Sequence, residues 1–92
     1  MASTTTVRPS ASVTASAHQQ GIVLFQRSDG RIFTANQTGA DVWRGIERGL
    51  SLDAIVADVS ARTGVESTEV MTHAIRFVAE LAQHGLVEGN LP

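Results

Sequence analysis

Residues 21–39, Gly-Ile-Val-Leu-Phe-Gln-Arg-Ser-Asp-Gly-Arg-Ile-Phe-Thr-Ala-Asn-Gln-Thr-Gly, constrain the fold more than any other stretch of the chain. Two β-prone runs, 22–27 and 31–35, flank Ser28, Asp29 and Gly30, and Asp-Gly between apolar runs is a strong hairpin signal. Gly30 supplies the positive φ of the turn at little steric cost. Asn36 then ends the strand and suits a helix N-cap, where its side-chain oxygen accepts an orphan N–H. The pattern after it is helical. A small sheet followed by helices is the outcome, with the second hairpin strand left as an edge.

Two registers fit the hairpin. A two-residue turn sets Leu24 beside Ala35 and Phe25 beside Thr34. A three-residue loop with Gly30 as a bulge sets Phe25 opposite Phe33, and it is preferred because Val23, Phe25, Phe33 and Ala35 then share one face. Either way apolar residues remain on both faces, so a partner or a dimer mate is the expected cover for the outer one. Residues 10–16 are small and partly β-prone, and can add a third strand through a turn at 18–21. Residues 1–9 are expected to be a disordered tail, 10–88 the folded domain and 89–92 a short C-terminal tail.

Three helices follow. The first spans about 37–48, where Ala40, Trp43 and Ile46 or Glu47 recur at helical spacing so that Trp43 points inward, with Gly49 as its C′ residue. The second starts at the N-cap Ser51, buries Leu52, Ile55, Val56 and Val59, and ends at Thr63 and Gly64. The third is capped near Ser67, runs to about His84 and stops at Gly85. At about 100° per residue, Val70, Ala74, Phe77, Val78 and Leu81 centre its core face. Met71, Ile75 and Ala82 form a shoulder, and the apolar arc widens to roughly 160° against the ~100° that a surface helix needs. That surplus shoulder reads either as packing or as a wall with something to cover.

Composition excludes several functions. There is no cysteine, hence no disulfide, thiolate nucleophile or cysteine-based zinc site. His18, His73 and His84 lack metal-ligand spacing, no Gly-x-Ser-x-Gly elbow frames a serine, and no phosphate loop is present. No metal, no cofactor and no enzymatic activity are expected. No apolar run approaches the length of a membrane span. The net charge is −2 and all seven basic residues are arginines, a poor electrostatic match to nucleic acid. The Ser/Thr/Ala-rich start lacks an apolar core of the secretory type, so a cytoplasmic protein is expected.

The ordered string of a hairpin ending Ala35-Asn36-x-x-Gly39, Trp43, Gly49-Leu-Ser-Leu52 and Leu81-x-x-x-Gly85-Leu86 resembles the PqqD-like family over residues 13–88. These are the precursor-peptide recognition elements of ribosomal peptide natural-product pathways. Two positions depart from the family pattern: Ala35 stands where a leucine is usual, and His73 where many members carry an acid. The resemblance implies an α+β, winged-helix-like fold of three antiparallel strands followed by three helices. It also implies that a precursor's leader peptide adds to the edge of the third strand beside the third helix. The contacts would then come from Arg31, Ile32, Phe33, Thr34 and Ala35 on the strand and from Met71, Ile75, Val78 and Ala82 on the helix. A separate modifying enzyme or leader peptidase would receive the peptide, in a lasso-peptide-type or PQQ-type pathway. A winged-helix DNA-binding regulator is the alternative for a chain of this class.

Overall fold

The computed structural model describes residues 6–89. Its elements are β1 (Val7–Pro9), β2 (Val13–His18), β3 (Gly21–Gln26), β4 (Arg31–Asn36), α1 (Gln37–Glu47), α2 (Leu52–Thr63), α3 (Ser67–Gln83) and β5 (Val87–Gly89). β2, β3 and β4 form an antiparallel meander with β4 on one edge, followed by the three helices. This is the expected α+β arrangement.

The expected caps form where the sequence placed two of them. The Asn36 side chain accepts from the Gly39 amide at 3.0 Å, and Ser51 Oγ accepts from the Ala54 amide at 3.2 Å. α3 differs, because Ser67 is already helical and the cap position is Glu66, which makes no side-chain bond to the first turn.

The hairpin takes neither of the two anticipated registers. Gln26 pairs with Arg31, Phe25 with Ile32 and Leu24 with Phe33, so the loop has four residues, 27–30. The Gly30 amide closes it onto the Gln26 carbonyl at 2.8 Å, with Gly30 at φ +75°. Directly opposed residues share a face. Ile22, Leu24 and Gln26 therefore join Phe33 and Ala35 on the helix side. Val23 and Phe25 go outward with Ile32 and Thr34, which corrects the preferred grouping of Val23 and Phe25 with Phe33 and Ala35.

The tail was expected to run through Pro9, yet Val7–Pro9 is a strand. It pairs antiparallel with Val87–Gly89 in a second, two-stranded sheet. Val7 and Val87 are both buried, and that burial repays ordering a segment otherwise poor in apolar residues. Residues 1–5 and 90–92, the rest of the anticipated tails, lie outside the described residues.

One core joins all layers. Ile22 and Leu24 from the sheet meet Ala40, Trp43 and Ile46 of α1, Ile55 and Val59 of α2, and Val70, Ala74, Val78 and Leu81 of α3, with Leu86 and Val87 closing the end. α1 and α2 pack closely at Gly45, where a Cβ would fall 2.5 Å from Ile55 Cγ1, so the side chain of Ile55 leaves room for glycine alone.

Candidate functional site: a sheet edge walled by a helix

Hydrogen-bonding direction alternates along an antiparallel strand. The Arg27 amide donates to the Ser12 carbonyl at 2.9 Å, which makes the 12–27 position a bonded pair between β2 and β3. Counting along the registers, Ile22, Leu24 and Gln26 turn their backbone groups toward β4. Their partners Arg31, Phe33 and Ala35 are thereby used within the sheet. Ile32 and Thr34 present N–H and C=O on the free edge. Two groups on each of two residues make four edge positions for a further strand.

Three side chains bring α3 to that edge. The Phe33 ring on β4 lies 6.0 Å from the Phe77 ring and 5.3 Å from the His84 ring, both tilted by 56°. These are ordinary distances for favourable aromatic contact. At the other end of β4 the chain turns into α1, and Gly39 sits against Ala35 and Phe77. A Cβ at Gly39 would fall 2.7 Å from the Ala35 Cβ and 3.3 Å from the Phe77 ring. That close approach also accounts for alanine at position 35, where a leucine would fill the space α1 occupies.

At this α1 end, between α1 and α3, lies a recess of about 320 Å³ that meets β4 at Asn36. Its floor is Gly39, Val42, Val70 and Ala74, its wall Phe77, and its rim Asn36, Thr38, His73, Arg76 and Glu80. The arrangement suits an extended chain: backbone groups along the strand, an apolar recess for a side chain, and charges of both signs on the rim. Among the described residues neither Arg76 nor Glu80 is in an ion pair, so both can face a ligand.

The expected site residues divide. Arg31, Ile32, Phe33, Thr34 and Ala35 do form the edge strand. Of the helix residues named with them, Met71, Ile75 and Ala82 lie on the flank of α3 that borders α2. Met71 lines a different recess, of about 400 Å³, with Asp53, Val56 and Ala57 of α2 and Ser67 and Thr68. Ile75 and Ala82 lie within about 40° of Met71 around the helix, by the 3.6-residue period. Ile75 is exposed there and Ala82 half-buried. Val78 is wholly buried in the core and lines neither recess. The flank facing β4 instead carries His73, Phe77, Glu80 and His84. Phe77 was assigned to the core face, and only its half-burial tells that it also borders open space.

The PqqD model, coenzyme PQQ synthesis protein D, matches residues 21–87. The chain belongs to the PqqD family. Two solved structures share the fold of this PqqD-family chain. TbiB1 in complex with the TbiA(beta) leader peptide superposes with a TM-score of 0.85 at 25% identity, over 92% of this chain and 99% of that one. Lasso peptide synthetase B1 complexed with its leader peptide gives a TM-score of 0.81 at 19% identity, over 90% and 98%. No curated protein sequence matches the chain. Among the described residues, no helix is long and apolar enough to cross a membrane, and no group of three or more His, Asp or Glu side chains could hold a metal ion.

Proposed function

We propose that this PqqD-family chain binds the leader segment of a ribosomally made precursor peptide by strand addition to β4, and hands it to a separate modifying enzyme or leader peptidase. The pathway is of the lasso-peptide or PQQ type, and the chain itself is non-catalytic. The observation that carries this reading is the pair of free backbone positions, Ile32 and Thr34, on an edge strand whose Phe33 ring meets α3 at Phe77 and His84. The likeness to TbiB1, whose structure holds a leader peptide, supports it.

Magnitudes fit a clamp of moderate affinity. Four edge bonds at ~0.5–1.5 kcal/mol each contribute about 2–6 kcal/mol. Micromolar binding needs about 8 kcal/mol. Burying one or two apolar side chains of the leader against Phe77, Val42 and Ala74 makes up the difference at ~1.5–3 kcal/mol each. Main-chain bonds then supply affinity and the recess supplies selectivity.

The DNA-binding alternative loses support from the arginines. Arg44 and Arg62 both reach Asp41, at 3.5 and 3.6 Å, and Arg62 also pairs with Asp58 at 2.9 Å. Arg31 pairs with Asp29, and Arg27 donates to the Ala11 and Ser12 carbonyls. Arg48 and Arg76 stand outside these contacts, and α3 exposes Glu69 and Glu80 beside Arg76.

The test is fluorescence anisotropy with the labelled leader of the precursor peptide encoded beside this chain. Saturable, low-micromolar binding that changes little with salt is expected. Failure to bind the leader, together with salt-sensitive binding to random duplex DNA, would overturn the reading. A mass change in the precursor on incubation with the purified chain alone would refute the non-catalytic part.

A further inference from the structure

Gln26 is the buried polar residue of the core, at 4% exposure. Its side chain joins three separate segments. Oε1 accepts from Ser12 Oγ before β2 and from the Ser28 amide in the hairpin loop at 3.2 Å. Nε2 donates to the Gly85 carbonyl, just past the end of α3, at 2.7 Å. Among the described residues this is the side-chain hydrogen bond that ties the β2–β4 sheet to the C-terminal end of α3.

We infer that Gln26 is a positioning residue that sets the distance between the β4 edge and the α3 wall, and so the fit of the extended peptide between them; this rests on the strand-addition reading above. Gln26 is the cross-strand partner of Arg31, at the start of β4. Gly85 directly follows His84, whose ring packs on Phe33 two residues farther along β4. The bond therefore fixes α3 against the sheet at one end of the groove. At the other end α1 performs the same task through Gly39 and Phe77. An apolar residue at 26 would leave the Gly85 carbonyl and the Ser28 amide without partners, and both relax by turning toward water. The turn at Gly85 then moves outward and carries the His84 ring off Phe33.

The test compares Gln26→Leu and the unbranched Gln26→Met with Val59→Ala, a core change in α2 remote from the groove. Proton NMR on the free chains reads the contact between the His84 and Phe33 rings. It should be present in the wild type and in Val59→Ala, and lost in both Gln26 variants. With the same labelled leader peptide, the Gln26 variants should bind about tenfold more weakly, while Val59→Ala, at a comparable loss in melting temperature, stays within about twofold of the wild type. A ring contact preserved in either Gln26 variant overturns the inference, and so does equal weakening by Val59→Ala. If the wild type binds no leader, the strand-addition reading fails and the ring contact alone decides the geometry of Gln26.

Discussion

The two flanks of α3 differ both in chemistry and in neighbours. One flank has Met71, Ile75 and Ala82, and Met71 closes over α2. The other has His73, Phe77, Glu80 and His84, and reaches the strand whose outer edge is free. Each borders a recess of a few hundred cubic ångströms. Only the second flank reaches a strand with free backbone donors and acceptors. Apolar surplus on a helix reports that something covers it. A strand edge within reach decides whether that something can be an extended peptide.

Proline substitutions along β4 should give the largest contrast. Phe33→Pro removes a ladder bond to β3 and the ring that holds Phe77 and His84. A loss of roughly 3 kcal/mol or more is expected, or about 12–24 °C in melting temperature for a domain of this size. Ile32→Pro removes a donor on the free edge. It should keep a native circular dichroism spectrum while weakening the leader at least about tenfold. Equal tolerance at both positions would mean that β4 is not the docking edge.

The flanks themselves can be set against each other by calorimetric titration. Phe77→Ala trims the wall and should cost the leader about 1.4 kcal/mol, a factor of ten, with a moderate fall in melting temperature from the lost contact with Phe33. Ile75→Glu places a charge where the side chain is already 41% exposed. It should change both melting and affinity by less than about 0.5 kcal/mol, as surface substitutions usually do. If Ile75→Glu weakens the leader as much as Phe77→Ala, the peptide lies on the α2 side.

The smallest effect is expected at the other sheet edge. β2 also has a free side, and Val13, Ala15 and Ala17 face it by the same alternation. It lacks a helical wall. Ala15→Pro should leave leader affinity within about twofold and stability within about 1 kcal/mol, read by anisotropy and thermal melting. Weakening comparable to Ile32→Pro would show that a bare edge suffices.

Local signals carried much of the fold into view from the sequence. Asp29-Gly30, Asn36, Ser51 and Gly64 each act through a turn or cap set by near neighbours, and the three helices and the β4 edge follow from them. The register was not legible, because Gly30 at positive φ serves a three- or a four-residue loop equally well. Arg27 settles it by bonding to Ser12, a contact fifteen residues away. β1 and β5 were illegible for a related reason: three-residue strands 80 residues apart have no periodic signature, and Pro9 argues against a strand. In the candidate site, the place of β4 on the sheet edge could be read because an edge is a property of chain order. Which flank of α3 meets β4 could not, since a 3.6-residue period gives the width of an apolar face and is silent on which neighbour it meets.

The pairing of Val7 with Gly89 has an architectural consequence. It brings the two ends of the folded unit side by side, far along the chain from β4 and the groove. A domain whose ends meet can be spliced into the loop of a host protein, or cut and rejoined elsewhere, without stretching its interior. The fold is thus portable: one evolutionary or engineered step could graft it, with the β4 edge intact, into another protein.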